Sequence, residues 1–387
     1  MSEDMIYLDY AASTPVDADV AALMLECRTQ VFANPSSNHA AGLRSQAVIA
    51  AAEQQLAALL NAKPRTLIWT SGATESDNLA ILGAARYRAN RGKHVVTMRT
   101  EHKAVTDAFD RLEQEGFDVT WLMPDDKGRL DPERFADALR ENTQLASIMY
   151  VNNETGVVQD VETLGGICRE RDVLMHVDAA QAVGKLPIDL KTMPIDLLSL
   201  TGHKFYGPKG IGALYIADRP GCHVEPLLFG GGQQRRLRPG TLPADLIAGL
   251  GLAAEIAAAR MQDDLALLTD LRDRLWRGIR DVDGIMINGD PEEGFPGILN
   301  VSVAGVDGES LLLALEPLCV ATGSACNSQL QEPSYVLRAL GRSDELAQSS
   351  IRFSVGRPTT VAEVEFAAKR YVEAVSRLRA LAPPAAA

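Results

Sequence analysis

The chain has 387 residues, with 38 Lys and Arg against 51 Asp and Glu, so its formal net charge is −13. Hydrophobic residues make up 46% of the chain and charged residues 23%, which excludes a disordered, collagenous or disulfide-stapled protein. The acidic balance argues against direct binding to nucleic acid or to an anionic membrane, because both attract basic proteins. Five scattered cysteines, a start without an apolar signal segment and apolar runs too short to span a bilayer predict a cytoplasmic protein.

Strand-like apolar runs alternate with amphipathic helical segments from about residue 40 to 220. The predicted strands are Thr66–Thr70, His94–Met98, Val119–Met123, Leu145–Val151, Val173–Val177, Ile195–Leu200 and Gly212–Ile216. The helices predicted between them include Ser76–Arg88, Ala104–Gln114, Pro132–Glu141 and Val161–Arg171. This alternation is typical of β-α units around a buried, mostly parallel sheet, and it predicts an α/β fold.

The pattern changes after the Gly/Arg-rich segment Gly230–Thr241. A long helical region follows, from Leu242 to about Arg280, with apolar residues at spacings of three and four. Shorter strands then alternate with helices, the strands being Ile298–Val303, Leu318–Thr322 and Ile351–Val355. We therefore expect a large domain at residues 15–245, and a smaller α/β domain formed by residues 1–14 and 246–387.

Polar residues stand where two of the predicted strands end. Ligands of open parallel sheets bind beyond the carboxyl ends of the strands, where helices begin. Ser71 follows one strand and Ala73-Thr74 opens a helix, so free backbone N–H groups there could hold a phosphate; the alternative is an ordinary capped helix. Asp178 follows another strand, where it could pair with a protonated heterocyclic nitrogen or serve as a helix N-cap.

Lys204 follows a third strand, between small and aromatic residues. Desolvation at this place would favour the neutral amine that reacts with a carbonyl; the alternative is an ordinary surface lysine. Lys209, in a Pro/Gly turn, is interpreted as a solvated loop charge.

The five cysteines differ in their surroundings. Cys326 lies in a run of Gly, Ser, Ala and Asn, a setting suited to a nucleophilic thiol, although a loop thiol can also be inert. The cysteines with apolar neighbours, predicted to be small core residues, are Cys27, Cys168 and Cys319. Cys222 stays ambiguous.

Two further residues are candidates for ligand binding. His102 follows the strand HVVTM and could stack on a planar ligand or protonate it; otherwise it is an ordinary loop histidine. Arg352 lies on a predicted strand, opposite the apolar face, where it could bind a carboxylate through two hydrogen bonds or face solvent. The sequence contains no C-x-x-C or H-E-x-x-H pair, so no resident metal site is predicted.

Taken together, the motifs resemble those of a known family. They are, in order, TSGATESDN, TEHKAV, VNNETG, HVDAAQAVGK, SLTGHKFYGPKG, GGGQQ with RPGT, TGSAC, EPSYVLRALG and SSIRFSVGR. They resemble the pyridoxal-phosphate-dependent cysteine desulfurases of the NifS/IscS type, and the match runs from YLDYAAST at residues 7–14 to about residue 358. This resemblance implies fold type I of these enzymes, the aspartate-aminotransferase-like architecture with a mostly parallel seven-stranded sheet, and a homodimer.

The resemblance also implies residue roles. The residues that would hold the cofactor, pyridoxal 5'-phosphate, are Ala73, Thr74, His102, Asn153, Asp178, Gln181, Thr201, His203, Lys204 and, from the second subunit, Thr241. Among them, Lys204 would bind it covalently, Asp178 would pair with the pyridine nitrogen, and Gln181 would contact the phenolate oxygen. The substrate carboxylate would be held by Asn153 and Arg352, and the catalytic residues would be Cys326, Lys204 and His102.

The implied reaction converts L-cysteine to L-alanine and leaves a persulfide on Cys326, within a loop at about residues 322–333. The sulfur would pass to an acceptor protein, either an iron–sulfur scaffold or a sulfur-relay protein, for iron–sulfur cluster assembly or thio-modification of tRNA or DNA. Cys326 is also a candidate transient ligand of an iron–sulfur cluster. The chain stops at Ala387, short of the longer tail of housekeeping relatives, which leaves the acceptor open.

Alternatives to the cysteine desulfurase hypothesis are a selenocysteine lyase or an aminotransferase on the same scaffold, and a non-catalytic sulfur-relay protein. An aminotransferase has no use for Cys326, and a relay protein needs neither Lys204 nor Asp178.

Overall fold

The computed structural model describes residues 5–322 and 332–381. The described chain opens with a short strand, β1 (Ile6–Tyr7), and two helices, α1 (Ala18–Gln30) and α2 (Ala40–Leu59). Helix α1 begins at Asp17, whose carboxylate accepts a hydrogen bond from the N–H of Asp19, and it buries little more than Val20 and Cys27. Helix α1 precedes the strand–helix alternation, which was predicted from about residue 40, and α2 lies at its start.

A seven-stranded sheet follows. Its strands are β2 (Leu67–Thr70), β3 (His94–Met98), β4 (Asp118–Leu122), β5 (Thr143–Ser147), β6 (Leu174–Asp178), β7 (Leu197–Thr201) and β8 (Gly212–Ile216). Their order across the sheet is β2-β8-β7-β6-β5-β3-β4. Strand β8 runs antiparallel to both neighbours, and the other pairs are parallel. The predicted mostly parallel seven-stranded sheet is confirmed.

Helices cover both faces of this sheet, which is why its central strands are buried along their whole length. Those between the strands are α3 (Ala73–Tyr87), α4 (Lys103–Gln114), α5 (Pro132–Ala138) and α6 (Val161–Glu170). Each overlaps a predicted helix.

One predicted strand is wrong at its end. The run predicted as Leu145–Val151 forms a regular strand only as far as Ser147; Ile148 and Tyr150 still donate backbone hydrogen bonds to β6, and Val151 pairs with Val158. The loop closed by this pair carries Asn153 and Glu154.

The long helical region predicted from Leu242 is a single helix, α7 (Ala244–Ile279), of 36 residues. It packs against α1, α2 and the last helix, α11 (Val361–Leu381). No helix in the described parts of the chain is long and apolar enough to cross a membrane.

A smaller antiparallel sheet follows α7. Its strands are β9 (Ile285–Ile287), β10 (Ile298–Val303) and β12 (Ser350–Ser354), and their order across the sheet is β12-β10-β9. The short helices around it are α8 (Gly308–Ala314), α9 (Tyr335–Ala339) and α10 (Asp344–Gln348). A separate strand, β11 (Leu318–Cys319), pairs in parallel with β1. Ile6, near the start of the described chain, is therefore paired with Leu318. The predicted division into domains at residues 14 and 245 stays a prediction.

Candidate active site

The predicted site residues converge on one cavity of about 630 Å³ beyond the carboxyl ends of β6 and β7. Those lining it are Ala73, Thr74, His102, Asn153, Asp178, Gln181, Thr201, His203, Lys204 and Arg352. Thr241 is exposed and lies outside the cavity lining. Cys326 lies outside the described residues.

Two walls enclose this cavity. The strand-end wall consists of residues that end or follow strands of the large sheet, namely Ser71–Thr74, His102, Asp178, Thr201, His203 and Lys204. The terminal wall consists of residues from near the two ends of the chain, namely Ala11–Ser13, Glu332–Tyr335 and Arg352.

In the strand-end wall, the first turn of α3 lines the cavity. Gly72 precedes the helix with a φ of 155°, a conformation that favours glycine, and no side chain caps the helix. The backbones pack closely here, because a Cβ at Gly212 of β8 would lie 2.7 Å from the Cα of Gly72. First-turn N–H groups have no partner within a helix, so the amides of Ala73 and Thr74 are suited to bind an anion such as a phosphate.

His203 stands beside this helix start, in the turn that follows β7. Burial lowers its pKa to about 4, and the neighbouring ammonium groups of Lys204 and Lys209 act in the same direction. The imidazole is therefore neutral at pH 7 and can donate a hydrogen bond to an anion. Lys209 is exposed, as predicted for a loop charge, yet it also lines the cavity.

Lys204 reaches across the cavity to the terminal wall. Its Nζ donates hydrogen bonds to the carbonyl oxygens of Ala11, at 2.6 Å, and Ala12, at 2.9 Å. The side chain is half-buried and lines the cavity, so the alternative of an ordinary surface lysine is wrong. An amine held in this way can react with a carbonyl group bound in the cavity.

Asp178 is buried at the end of β6, with 3% of its surface exposed. Its Oδ1 accepts a hydrogen bond from the N–H of Ala180 at 2.9 Å, and no helix begins there, so the helix N-cap alternative is wrong. Burial raises the pKa of this carboxyl, although the neighbouring His102 and Lys204 lower it in part. A protonated ring nitrogen in the cavity would add the positive charge that favours the carboxylate.

His102 is the N-cap of α4, where its Nδ1 accepts a hydrogen bond from the N–H of Ala104 at 3.2 Å. Burial lowers the pKa of His102. A neutral imidazole fixed at a helix start in this wall is suited to stack on a planar ligand.

A buried polar cluster lies behind the strand-end wall. His176 on β6 makes side-chain hydrogen bonds to Ser147, at 2.7 Å, and to Ser199, at 2.9 Å. Its Nε2 lies 3.6 Å from Oδ1 of Asp77 on α3. Burial lowers the pKa of His176 to about 3, so its imidazole is neutral at pH 7, and burial together with the nearby carboxyl of Asp178 raises the pKa of Asp77 well above its usual range. The cluster ties three neighbouring strands to α3.

Arg352 belongs to the terminal wall and is only 4% exposed. Its Nη1 donates to the carbonyl oxygen of Asn153 at 2.8 Å, and its Nη2 donates to Oδ1 of Asp9 at 2.7 Å. The alternative of a solvent-facing strand arginine is therefore wrong. No role was predicted for Asp9, although it lies in the motif YLDYAAST.

Glu154 is a second cavity residue for which no role was predicted from the sequence. It is 5% exposed and lines the cavity, and Ser334 donates a hydrogen bond to its Oε2 at 2.5 Å. Burial raises the pKa of Glu154 to about 7, against the lowering effects of Ser334 and Arg352. This contact attaches the terminal wall to the loop that follows β5. The motif VNNETG contained the only sequence signal for it.

The described cysteines lie mainly in the core. Cys27, Cys168 and Cys222 are buried and Cys319 is half-buried, and all four are free thiols. Cys222, which the sequence left ambiguous, is buried. Cys319 was predicted to be a core residue and is only half-buried.

The residues present fit a planar aldehyde that carries a phosphate and a basic ring nitrogen. The uncapped start of α3 and the neutral His203 suit the phosphate, and the buried carboxyl of Asp178 suits the nitrogen. The amine of Lys204 suits the aldehyde. Pyridoxal phosphate has these three features.

Comparison with known proteins identifies the family. The aminotransferase class-V family model matches residues 6–366. The cysteine desulfurase IscS of Enterobacter sp. (strain 638) is 52% identical over 381 residues, which cover 98% of this chain and 94% of the relative. A solved NifS-like protein matches with a TM-score of 0.90 and 33% identity, over 97% of this chain and 100% of that one. The solved structure of SspA in complex with cysteine matches with a TM-score of 0.82 and 38% identity, over 90% of this chain and 98% of that one. The chain therefore belongs to the class-V aminotransferase family, in its NifS/IscS branch of cysteine desulfurases.

Proposed function

We propose that this chain is a pyridoxal-phosphate-dependent cysteine desulfurase, which converts L-cysteine to L-alanine and transfers the sulfur through a persulfide on Cys326. The observation that carries the proposal is the convergence of Lys204, Asp178 and Arg352 on one cavity with the uncapped start of α3. The first two groups and the helix start suit the cofactor, and the guanidinium suits the carboxylate of an amino acid.

The strand-end wall binds the cofactor, and the terminal wall binds the substrate. Ala73, Thr74, Thr201 and His203 hold the phosphate, Asp178 holds the ring nitrogen, and His102 stacks on the ring. In the terminal wall, the Arg352 guanidinium binds the substrate carboxylate together with Asn153. Asp9 and the Asn153 carbonyl already orient that guanidinium, which reduces the entropy lost on binding.

Bound pyridoxal phosphate supplies an electron sink for the negative charge that develops on the substrate carbons. The amine of Lys204 takes up the α-proton of L-cysteine. The Cys326 thiolate then attacks the substrate sulfur, so an S–S bond forms as the C–S bond breaks. The electron pair of the C–S bond stays with the β-carbon, which is protonated, and return of the proton from Lys204 to the α-carbon gives alanine. An acceptor protein or thiol removes the sulfur from Cys326.

The protein acts as a cytoplasmic homodimer in this proposal. Thr241 lies outside the cavity of its own chain, as a residue that serves the partner's cofactor would. Leu228 and Phe229, shortly before it, are 52% and 86% exposed, and a second subunit would cover them. The four free thiols of the described chain suit the reducing cytoplasm. The acceptor is an iron–sulfur scaffold or a sulfur-relay protein.

The test is to incubate the purified protein, loaded with pyridoxal phosphate, with L-cysteine and a reductant, and to measure alanine and sulfide. We expect equal amounts of both from the wild type. Cys326→Ala should lower the rate by about 10²-fold or more, since the nucleophile is lost. Cys319→Ala, which removes a half-buried thiol of β11, is the matched control and should keep the wild-type rate.

The alternatives give different results. Wild type that forms neither alanine nor sulfide would contradict a desulfurase and favour a relay protein. Formation of a keto acid in place of alanine would indicate an aminotransferase. Full turnover of L-cysteine by Cys326→Ala would contradict the persulfide step, even with the fold and cofactor correct.

A further inference from the structure

A second lysine, Lys185, lies next to Lys204 and has no role in the proposed reaction. It is half-buried, four residues after Gln181 in the turns that follow β6. Its Nζ donates a hydrogen bond to Oε1 of Gln181 at 2.7 Å and lies 5.4 Å from the centre of the Phe295 ring. Removing an amine from water costs free energy. The one strong polar contact that Lys185 makes within the described chain, with Gln181, is therefore expected to have a role.

This contact fixes the orientation of the Gln181 amide. Gln181 is 3% exposed, and its Nε2 donates a hydrogen bond to the carbonyl oxygen of Ala11 at 2.7 Å. A carbonyl oxygen only accepts hydrogen bonds, and an ammonium group only donates them. Both contacts therefore require the amide nitrogen on the side of Ala11 and the amide oxygen on the side of Lys185.

The contact with Ala11 alone would hold the amide less firmly. The same carbonyl oxygen accepts a hydrogen bond from Nζ of Lys204 at 2.6 Å, so two donors share it. Burial lowers the pKa of Lys185 to about 7, and the nearby Lys204 adds to this effect. Both the ammonium and the neutral amine carry N–H groups, so Lys185 donates to Gln181 on either side of that pH.

The amide nitrogen has two hydrogens, and Ala11 accepts one of them. Gln181 lines the cavity, so the second N–H is available to a group bound there. An amide turned the other way would present its oxygen and repel an anionic oxygen of the ligand.

We propose that Lys185 is a positioning residue, which holds the Gln181 amide so that one N–H faces the phenolic oxygen of bound pyridoxal phosphate. This inference rests on the proposed function for its cofactor. The contact with that oxygen is made by Gln181, and Lys185 acts through it.

The test uses the pH midpoint of the visible absorption band of the cofactor bound to Lys204. A hydrogen bond donated to the phenolic oxygen makes that oxygen a weaker acceptor for the proton on the Lys204 nitrogen. The nitrogen then loses this proton at a lower pH, and removing the donor raises the midpoint. Lys185→Met removes the N–H donor and keeps most of the stem, and a cavity of about 30 Å³ lined by Leu268 and Phe295 lies beside it. We expect the midpoint to rise by roughly half to one pH unit and cofactor affinity to fall several-fold.

The matched control is Lys191→Met, at an exposed lysine six residues further along the chain, which should leave both readouts unchanged. Lys185→Arg, which keeps a donor, should restore most of the wild-type midpoint. Lys185→Gln stays polar, but its side chain is too short to reach Gln181, so it should shift the midpoint like Lys185→Met. If Lys185→Met does not fold, Lys185→Gln takes its place in the test.

A double-mutant cycle separates positioning from a direct charge effect. In a Gln181→Ala background, replacing Lys185 should shift the midpoint no further, since the amide through which it acts is absent. An equal shift in both backgrounds would mean that Lys185 acts on Lys204 by charge alone, and would overturn the proposal. An unchanged midpoint in Lys185→Met and Lys185→Gln, with wild-type desulfurase activity intact, would overturn it as well. A wild-type protein that gives no visible band contradicts the proposed function instead.

Discussion

The strand-end wall and the terminal wall of the cavity are assembled in different ways. Each residue of the strand-end wall ends or follows a strand of one sheet, so local chain geometry places it at the cavity. The terminal wall depends on contacts between distant residues, such as the ion pair of Asp9 with Arg352, which are 343 residues apart. The first wall holds the groups suited to a cofactor, and the second holds the cation suited to a substrate carboxylate.

This difference suggests a division of function that kinetics can separate. Changes in the strand-end wall should act on the chemical step and appear in kcat. Changes in the terminal wall should weaken the binding of L-cysteine and appear mainly in KM.

The largest effect is expected for Lys204→Ala in the strand-end wall. The change removes the amine that binds the cofactor and takes up the α-proton, so kcat should fall by about 10³-fold or more. The visible absorption band of the bound cofactor should shift as well. The assay is alanine release under saturating L-cysteine, and Lys209→Ala, at the exposed loop lysine, is the comparison variant. A Lys204→Ala protein with an unchanged spectrum would show that another amine binds the cofactor.

A smaller effect, mainly on KM, is expected for Arg352→Lys in the terminal wall. Lysine keeps the positive charge but loses the planar pair of donors, so KM for L-cysteine should rise by about 10²-fold with a smaller change in kcat. Asp9→Asn is the matched variant, because it removes the ion pair and keeps Arg352; KM should rise only a few-fold. Steady-state kinetics of alanine release measure both. If Arg352→Lys lowers kcat and leaves KM unchanged, the division between the walls is wrong.

The smallest effect concerns Glu154, whose contact with Ser334 joins the terminal wall to the loop after β5. Its pKa is about 7 in the folded protein against 4.5 for the free side chain. The unfolded chain therefore loses this proton between pH 4.5 and 7 while the folded chain keeps it, so this group lowers the free energy of unfolding as the pH rises through that window. The full change is at most roughly 3 kcal/mol.

Glu154→Gln does not titrate and should lose this dependence. Urea unfolding at pH 5 and pH 7.5 measures the difference, and the variant should gain stability relative to the wild type at the higher pH. Glu162→Gln, at an exposed residue of α6, is the control and should follow the wild type at both values. A parallel pH dependence of Glu154→Gln and wild type would place the titration elsewhere.

The sequence predicted the large sheet well, because strands buried on both faces leave continuous apolar runs. Strands β3 and β8 match their predicted limits, four others differ by at most two residues at either end, and β5 differs by two residues at its start and four at its end. Helix α1 was not predicted. It buries only two of its 13 residues, so its apolar periodicity is weak.

The candidate site was predicted to a different extent in each wall. Asp178 ends a strand and Lys204 lies in the turn after one, so position along the sequence indicates position in space. Asp9 and Glu154 owe their significance to partners far along the chain, and no local pattern reveals such partners. Their motifs could be recognised through the family resemblance, but the contacts with Arg352 and Ser334 required the structure.

The pairing of N-terminal residues with residues far along the chain has a consequence for how the protein is made. Strand β1 pairs with β11, and Asp9 with Arg352, so these N-terminal residues have no partner until most of the chain has been synthesised. At about 5 to 20 residues per second, a separation of 343 residues corresponds to a wait of roughly 20 to 70 s on the ribosome. The large sheet, by contrast, is complete in sequence by residue 216. A nascent chain would thus hold a finished sheet and an open cavity, and full substrate binding would begin only after translation is nearly complete.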